Sequence, residues 1–173
     1  MIIEKIRQKR RAPGNPAQAL VEFAIVLPIL VVLVLGILEV ARIIFIYAAV
    51  TNASREASRF GSAIGFEDTT YNLKYQYCSA IRGTAKRTSF LVPLQDSDIT
   101  IEYDHGPGTS AFDTCPVGVT RDTTIVVKTG QDRVKVTITT NYSPITKLIP
   151  IGTRPITSSS ARTILGYAKI TYP

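Results

Sequence analysis

The feature that most constrains this chain is an apolar run near its N-terminus. From Phe23 to Leu38 the sequence FAIVLPILVVLVLGIL has 16 residues and no charge. As a helix it would span about 24 Å, and neighbours such as Leu20 and Val40 extend it toward the roughly 30 Å hydrocarbon core of a bilayer. A buried helix of a soluble protein normally keeps a polar stripe, and a signal peptide has a shorter apolar part. This run is apolar on every face, so the sequence predicts one transmembrane helix.

The charges on the two sides of the run differ. The basic residues before it are Lys5, Arg7, Lys9, Arg10 and Arg11. Beyond it, residues 51–60 (TNASREASRF) have mixed charge. Because Lys and Arg are retained on the cytoplasmic side of membranes, we expect the N-terminus in the cytoplasm and the rest of the chain outside. The leader, with Glu4, holds +4 of the net charge of +7, and the other +3 forms no basic stripe, so no nucleic-acid partner is expected.

The sequence predicts an α+β fold in three parts. They are a basic cytoplasmic leader (1–17), a transmembrane helix with an extracytoplasmic helical extension (18–61), and a small extracytoplasmic domain (62–173). In that domain a helix is expected to pack on an antiparallel sheet, because each element has one apolar side to bury.

Periodicity places the elements of the domain. Apolar residues at helical spacing over 71–87 predict a second helix. Alternating and short apolar runs predict strands of a meander. Strands are expected at 99–104, 125–128, 134–142 and within 156–172. Residues 129–132 are expected to form the turn before the third strand. The segment 144–155, with its prolines, is expected to be a loop.

Two carboxylates lie at the ends of the apolar run. Arg42 follows Glu39 by three residues on the same helix face, and the two are expected to form an ion pair at the outer membrane boundary. Glu22 has no basic residue close by, because residues 12–16 (APGNP) predict a linker. A carboxylate at membrane depth is costly. Glu22 therefore either reaches to the interface or pairs with a positive group, such as the α-amino group that a cut before Gln18 would create.

The chain has two cysteines and one histidine. Cys78 and Cys115 both fall on the predicted exterior, where disulfides form, so we expect them to be bonded. They cannot supply a four-ligand zinc site with one histidine. His105 lies in a predicted surface turn (DHGPG), without a phosphate-binding loop, carboxylate pair or nucleophile elbow. We therefore expect that the protein is not an enzyme and that it binds no metal or cofactor. An anchored enzyme that uses His105 is the least favoured alternative.

The segment AQALVEFA at 17–24, followed by LPILVVLVLGILEVAR and YAAVTNASREASRFG, resembles the TadE-like family. These are minor pseudopilins of tight-adherence (Flp-type) pilus systems. The resemblance implies that a prepilin peptidase cuts between Ala17 and Gln18, so that Glu22 becomes the fifth mature residue and serves recognition and assembly. Phe23 stands where the major Flp pilins usually have tyrosine, and Ala17 stands where prepilin peptidases prefer glycine.

Two functions follow as alternatives. A minor pseudopilin or pilus-assembly component would have membrane lipid, the prepilin peptidase, other pilins or pseudopilins and the assembly platform as partners. It would lie in the cytoplasmic (inner) membrane or in a surface pilus. The alternative is a permanently anchored envelope factor for binding or cell adhesion, which keeps its leader. Recovery with sheared pili would distinguish the two.

Overall fold

One helix accounts for more than a quarter of the chain in this computed structural model, which describes residues 16–65, 73–145 and 152–166. The predicted leader, up to residue 15, lies outside the described residues. The helices and strands are α1 (Pro16–Ser62), α2 (Cys78–Thr88), β1 (Ile99–Asp104), β2 (Ala111–Cys115), β3 (Arg133–Tyr142) and β4 (Arg154–Thr163). The α+β fold class is confirmed. The chain divides into two compact units, Met1–Val40 and Ala41–Pro173, so the division falls inside α1.

The described part of the first unit is the apolar half of α1. Its side chains point outward all around the helix, and Leu30 and Leu33 are 54% and 59% exposed. Pro28 lies inside the helix, as is tolerated in membrane helices. By length and composition α1 is able to cross a membrane. Among the described residues, the structure thus has one apolar helix near the N-terminus, as expected of a single-pass membrane protein.

The second unit is built on a four-stranded antiparallel sheet with strand order β2-β1-β3-β4. The predicted meander is therefore wrong, because β3 pairs with β1 and leaves β2 at an edge. The strand predicted at 125–128 is also wrong. That segment has no regular secondary structure and lies outside the sheet, with Ile125 fully buried and its carbonyl accepting a hydrogen bond from Nε2 of Gln76. The strand β2 was not predicted, since its residues AFDTC alternate poorly.

The second helix is shorter than the predicted 71–87. Residues 71 and 72 lie outside the described residues, Lys74–Gln76 forms a 3-10 turn, and α2 begins at Cys78. Backbone groups before α2 bond to other parts of the chain, because Gln76 O accepts from Asp122 N and Tyr75 O accepts from the hydroxyl of Tyr103. Tertiary contacts have therefore replaced the first helical turns.

One face of the sheet forms the hydrophobic core. Alternate residues of β1 and β3 are buried there: Ile99, Ile101, Tyr103, Val134, Val136 and Ile138. The last turns of α1 and one side of α2 complete this core with Val50, Ala53, Ala57, Ile81 and Ala85. Each fully buried aliphatic side chain contributes about 1.5–3 kcal/mol. Gly61 allows α1 and α2 to approach closely, since a Cβ there would lie 3.1 Å from Cδ1 of Ile81.

Small polar residues join α1 to the edge strand β4. The hydroxyl of Ser54 lies 3.2 Å from that of Ser158, and the hydroxyl of Ser58 donates to that of Ser160 at 2.9 Å. Ser54 and Ser58 are fully buried, so these hydrogen bonds satisfy groups that would otherwise be costly to bury. The strand predicted within 156–172 is thus confirmed at Arg154–Thr163, while residues 167–173 lie outside the described residues.

Candidate processing and assembly site

The first turn of α1 holds the predicted processing site. The helix begins at Pro16, and proline is favoured in the first turn because its missing N–H has no intrahelical acceptor there. Ala17 and Gln18 follow directly and both are exposed. The bond between them is therefore reachable from outside, but it lies in helical backbone. A peptidase that binds an extended substrate would have to unwind this turn.

Glu22 lies one helical turn beyond Gln18, on the side of α1 that also carries Val21 and Ile25. Its side chain is exposed, and among the described residues no basic group forms an ion pair with it. Phe23 beside it is 62% exposed. The helix thus presents one carboxylate in surroundings that are otherwise apolar, and the described residues place no counter-charge beside it.

Arg42 makes its contacts within the second unit. Its Nη1 donates to Ser143 O at 2.6 Å, and its guanidinium carbon lies 5.3 Å from the ring centroid of Tyr142. Glu39 is buried, with 7% of its surface exposed. The Glu39–Arg42 ion pair stays a prediction, while the contacts of Arg42 with the end of β3 were not foreseen. They are long-range in sequence, and the helical spacing of Glu39 and Arg42 carries no information about them.

The disulfide between Cys78 and Cys115 is confirmed, with a Cα–Cα distance of 5.7 Å. It joins the first residue of α2 to the last residue of β2. Beside it, Nη2 of the buried Arg82 donates to Cys115 O at 2.6 Å, and burial lowers the pKa of this guanidinium. The bond therefore fixes the edge strand to the helix that covers the sheet.

A cluster of ion pairs at the start of β3 was missed by the sequence analysis. Nδ1 of His105 lies 2.8 Å from Oδ1 of the buried Asp132, and the imidazole stacks on Phe112 at 4.4 Å between ring centroids. Arg133 donates to both oxygens of Asp104, at 2.7 and 2.9 Å. His105 does lie in a surface bend, as predicted, but it has a partner there. The dipeptides Asp104-His105 and Asp132-Arg133, each with an acidic and a basic residue, were the sequence feature that could have indicated this cluster. Only the register of β1 against β3 brings the two dipeptides together.

Both carboxylates of this cluster are held ionised. Burial alone would raise the pKa of Asp104, but the hydrogen bonds from Arg133 and from Gly106 N lower it below its usual range. The pKa of Asp132 is lowered in the same way, against burial, by hydrogen bonds from His105 and from Lys128 N. Within the described ranges, no three side chains of His, Cys, Asp or Glu are placed to bind a metal ion. These ion pairs therefore join the end of β1 to the start of β3.

The described residues define a class of protein in which an apolar N-terminal helix continues into a small α+β unit. Within that class, a family model described as TadE-like protein matches residues 17–59. The match begins at Ala17, includes Glu22 and ends close to the end of α1, in agreement with the resemblance found in the sequence. The match covers about a quarter of the chain. Comparison with curated proteins and with solved structures finds no significant match in either set.

Proposed function

We propose that this protein is a minor pseudopilin of a tight-adherence pilus system. The apolar half of α1 holds the precursor in the cytoplasmic membrane, with the leader inside and the second unit outside. A prepilin peptidase removes residues 1–17, and the mature helix packs with helices of other pilins or pseudopilins at the assembly platform. The second unit then caps or primes the filament. The match of the family model to residues 17–59 supports this proposal.

The observation that carries the proposal is the exposed carboxylate of Glu22, which has no ion-pair partner among the described residues. A charged group at membrane depth is costly unless a positive group approaches it. Cleavage after Ala17 creates such a group, because the new α-amino group of Gln18 carries positive charge near neutral pH. That amine lies one turn away on the same helix, or meets Glu22 of a neighbouring helix during assembly.

A second feature supports packing of α1 with other helices. Beyond Val40 the helix still carries apolar side chains on the side away from the sheet, and Phe45 and Tyr47 are 47% and 56% exposed. A soluble helix seldom exposes a continuous apolar face of this kind. Neighbouring pilin helices in a filament would bury it.

The test combines two substitutions at the processing site with a matched control. Glu22→Gln keeps the shape of the side chain and removes its charge, so membrane insertion should persist while recovery in sheared pili is lost. Glu56→Gln is the control, because Glu56 lies on the same helix and pairs with Arg59 outside the apolar segment. It should leave piliation unchanged. Normal piliation with Glu22→Gln would contradict the role of Glu22.

The cleavage step has its own test. Ala17→Gly should be processed at least as fully as the native chain, since prepilin-type peptidases prefer glycine there, and Ala17→Phe should retain the leader. Mass spectrometry of membrane protein reads the result directly. One observation favours the second candidate function, a permanent anchor: the Ala17–Gln18 bond lies in helical backbone. A native chain and an Ala17→Gly variant that both keep residues 1–17 would establish that alternative.

A further inference from the structure

The loop after α2 carries the most exposed aromatic side chain of the second unit as far as it is described. Phe90 and Leu91 are 76% and 61% exposed, while Val92 and Leu94 of the same loop are buried in the core. The loop is therefore anchored by two apolar residues and presents two others outward. Isolated exposed apolar residues need no explanation, but a fixed aromatic–aliphatic tip next to other apolar surface marks a contact site.

The loop lies beside the beginning of the helical extension of α1. Leu91, Val92 and Pro93 line a hollow of about 350 Å³ together with Arg42, Phe45, Ile46, Thr140 and Asn141. The other end of β3 is far away, since ten residues of a strand span about 33 Å. The exposed tip is thus located at the end of the second unit that holds Arg42.

Arg42, at that end, is close along the chain to the apolar half of α1. Arg42 follows Val40 by two residues, so it cannot be more than about 7 Å along the chain from the end of the apolar segment. Basic groups occur at the same end. Arg87 precedes Phe90 by three residues, and Arg154 is paired in the sheet with Tyr142, whose ring contacts Arg42; both arginines are exposed.

We propose that the Phe90–Leu91 tip is a second membrane contact, which inserts into the interface of the outer leaflet while Arg87 and Arg154 face anionic lipid headgroups. This rests on the proposed function, which puts the apolar half of α1 in the bilayer. Aromatic and aliphatic side chains flanked by arginine are the composition that membrane interfaces select. The contact would hold the second unit against the membrane before assembly, and extraction into a filament would have to release it.

The chain has no tryptophan, so a single introduced tryptophan reports its own surroundings. Three variants of the full-length chain are reconstituted in vesicles of phosphatidylcholine and phosphatidylglycerol, with or without bromine on the acyl chains. Phe90→Trp tests the tip. Val126→Trp is the matched control, because Val126 is 78% exposed and lies in the segment that leads to the far end of β3. Leu30→Trp reports the apolar half of α1.

Phe90→Trp should show blue-shifted emission and lose most of it to brominated lipid, whereas Val126→Trp should keep its emission. Equal, weak quenching of these two variants, with Leu30→Trp strongly quenched, would overturn the second contact and leave membrane insertion standing. A blue shift of Phe90→Trp without quenching would overturn it as well, because the tip would then be covered by protein. Absence of quenching for Leu30→Trp would instead count against the proposed function.

Discussion

The two halves of α1 bury apolar surface in different ways. Before Ala41 nearly all of its apolar side chains are exposed, as with Leu30 and Leu33. After Ala41 the exposure follows the helical period, so that Ala53 and Ala57 are fully buried and Arg55 is exposed. One continuous helix therefore combines a first half whose surface is suited to lipid with a second half that packs on the protein's own sheet.

The difference shows that forming a helix and burying its apolar side chains have different requirements. The first half needs only length and hydrophobicity, because lipid accepts any apolar side chain on any side. The second half needs a specific partner surface, with small residues such as Ser54 and Ser58 where β4 lies. Substitutions should therefore act on different measurements in the two halves.

The largest effect on the second unit is expected from removal of the disulfide. Cys78 and Cys115 are 37 residues apart, and closing a loop of that size contributes about 4 kcal/mol in the chain-entropy model. The double variant Cys78→Ser, Cys115→Ser should lower the free energy of unfolding by that amount in urea titrations in detergent. Its recovery in the membrane fraction should be unchanged. Loss of membrane association would show that the two units are not independent.

A matched pair of isoleucines tests the comparison most evenly. Ile101→Ala empties a fully buried position in β1 and should cost about 3 kcal/mol of stability, within the range for such cavities. Ile29→Ala makes the same change at a side chain that is 59% exposed. It should leave the urea midpoint of the second unit unchanged. An equal loss of stability in both variants would contradict the assignment of Ile29 to lipid.

Acid should weaken the ion pairs between the end of β1 and the start of β3. The pKa values of Asp104 and Asp132 are lowered in the folded protein, so their ionised forms stabilise it above the ordinary aspartate pKa, about 3.9. This stability is lost as the pH falls through the lowered folded pKa values. Asp132→Asn should cost about 2 kcal/mol near neutral pH, typical of a charged hydrogen bond.

The same variant should also unfold with a shallower pH dependence below about pH 4. Urea titrations across this range measure both effects. A neutral-pH stability equal to that of the native chain, with unchanged acid sensitivity, would show that the pair between His105 and Asp132 contributes nothing.

The smallest effect concerns the two sides of the helical extension. Ser58→Ala removes the hydrogen bond to Ser160 and should cost about 1 kcal/mol. Asn52→Ala, on the exposed side of the same turns, should leave thermal unfolding of the second unit within experimental error. Similar losses for both variants would mean that β4 does not pack on this side of α1.

The sequence was most informative where a local pattern decides the structure. Length and hydrophobicity predicted α1, and strict alternation predicted β1 and β3. Sequence analysis failed where contacts between residues far apart in the chain decide the structure. Ile125 looks like part of a strand, but its carbonyl bonds to Gln76 and the segment stays outside the sheet.

The candidate sites divide in the same way. The disulfide was predictable from the number of cysteines and the expected compartment. The pairing of His105 with Asp132 depends on the register of β1 against β3, which no local pattern specifies. Glu22 was identified because a carboxylate inside an apolar run is unusual whatever the fold.

The N-terminus of the protein purified from its native membrane tests the central proposal most directly. Mass spectrometry should find a mature chain that begins at Gln18, with Glu22 as its fifth residue. A chain that retains residues 1–17 would contradict prepilin-type processing and would identify α1 as a permanent anchor.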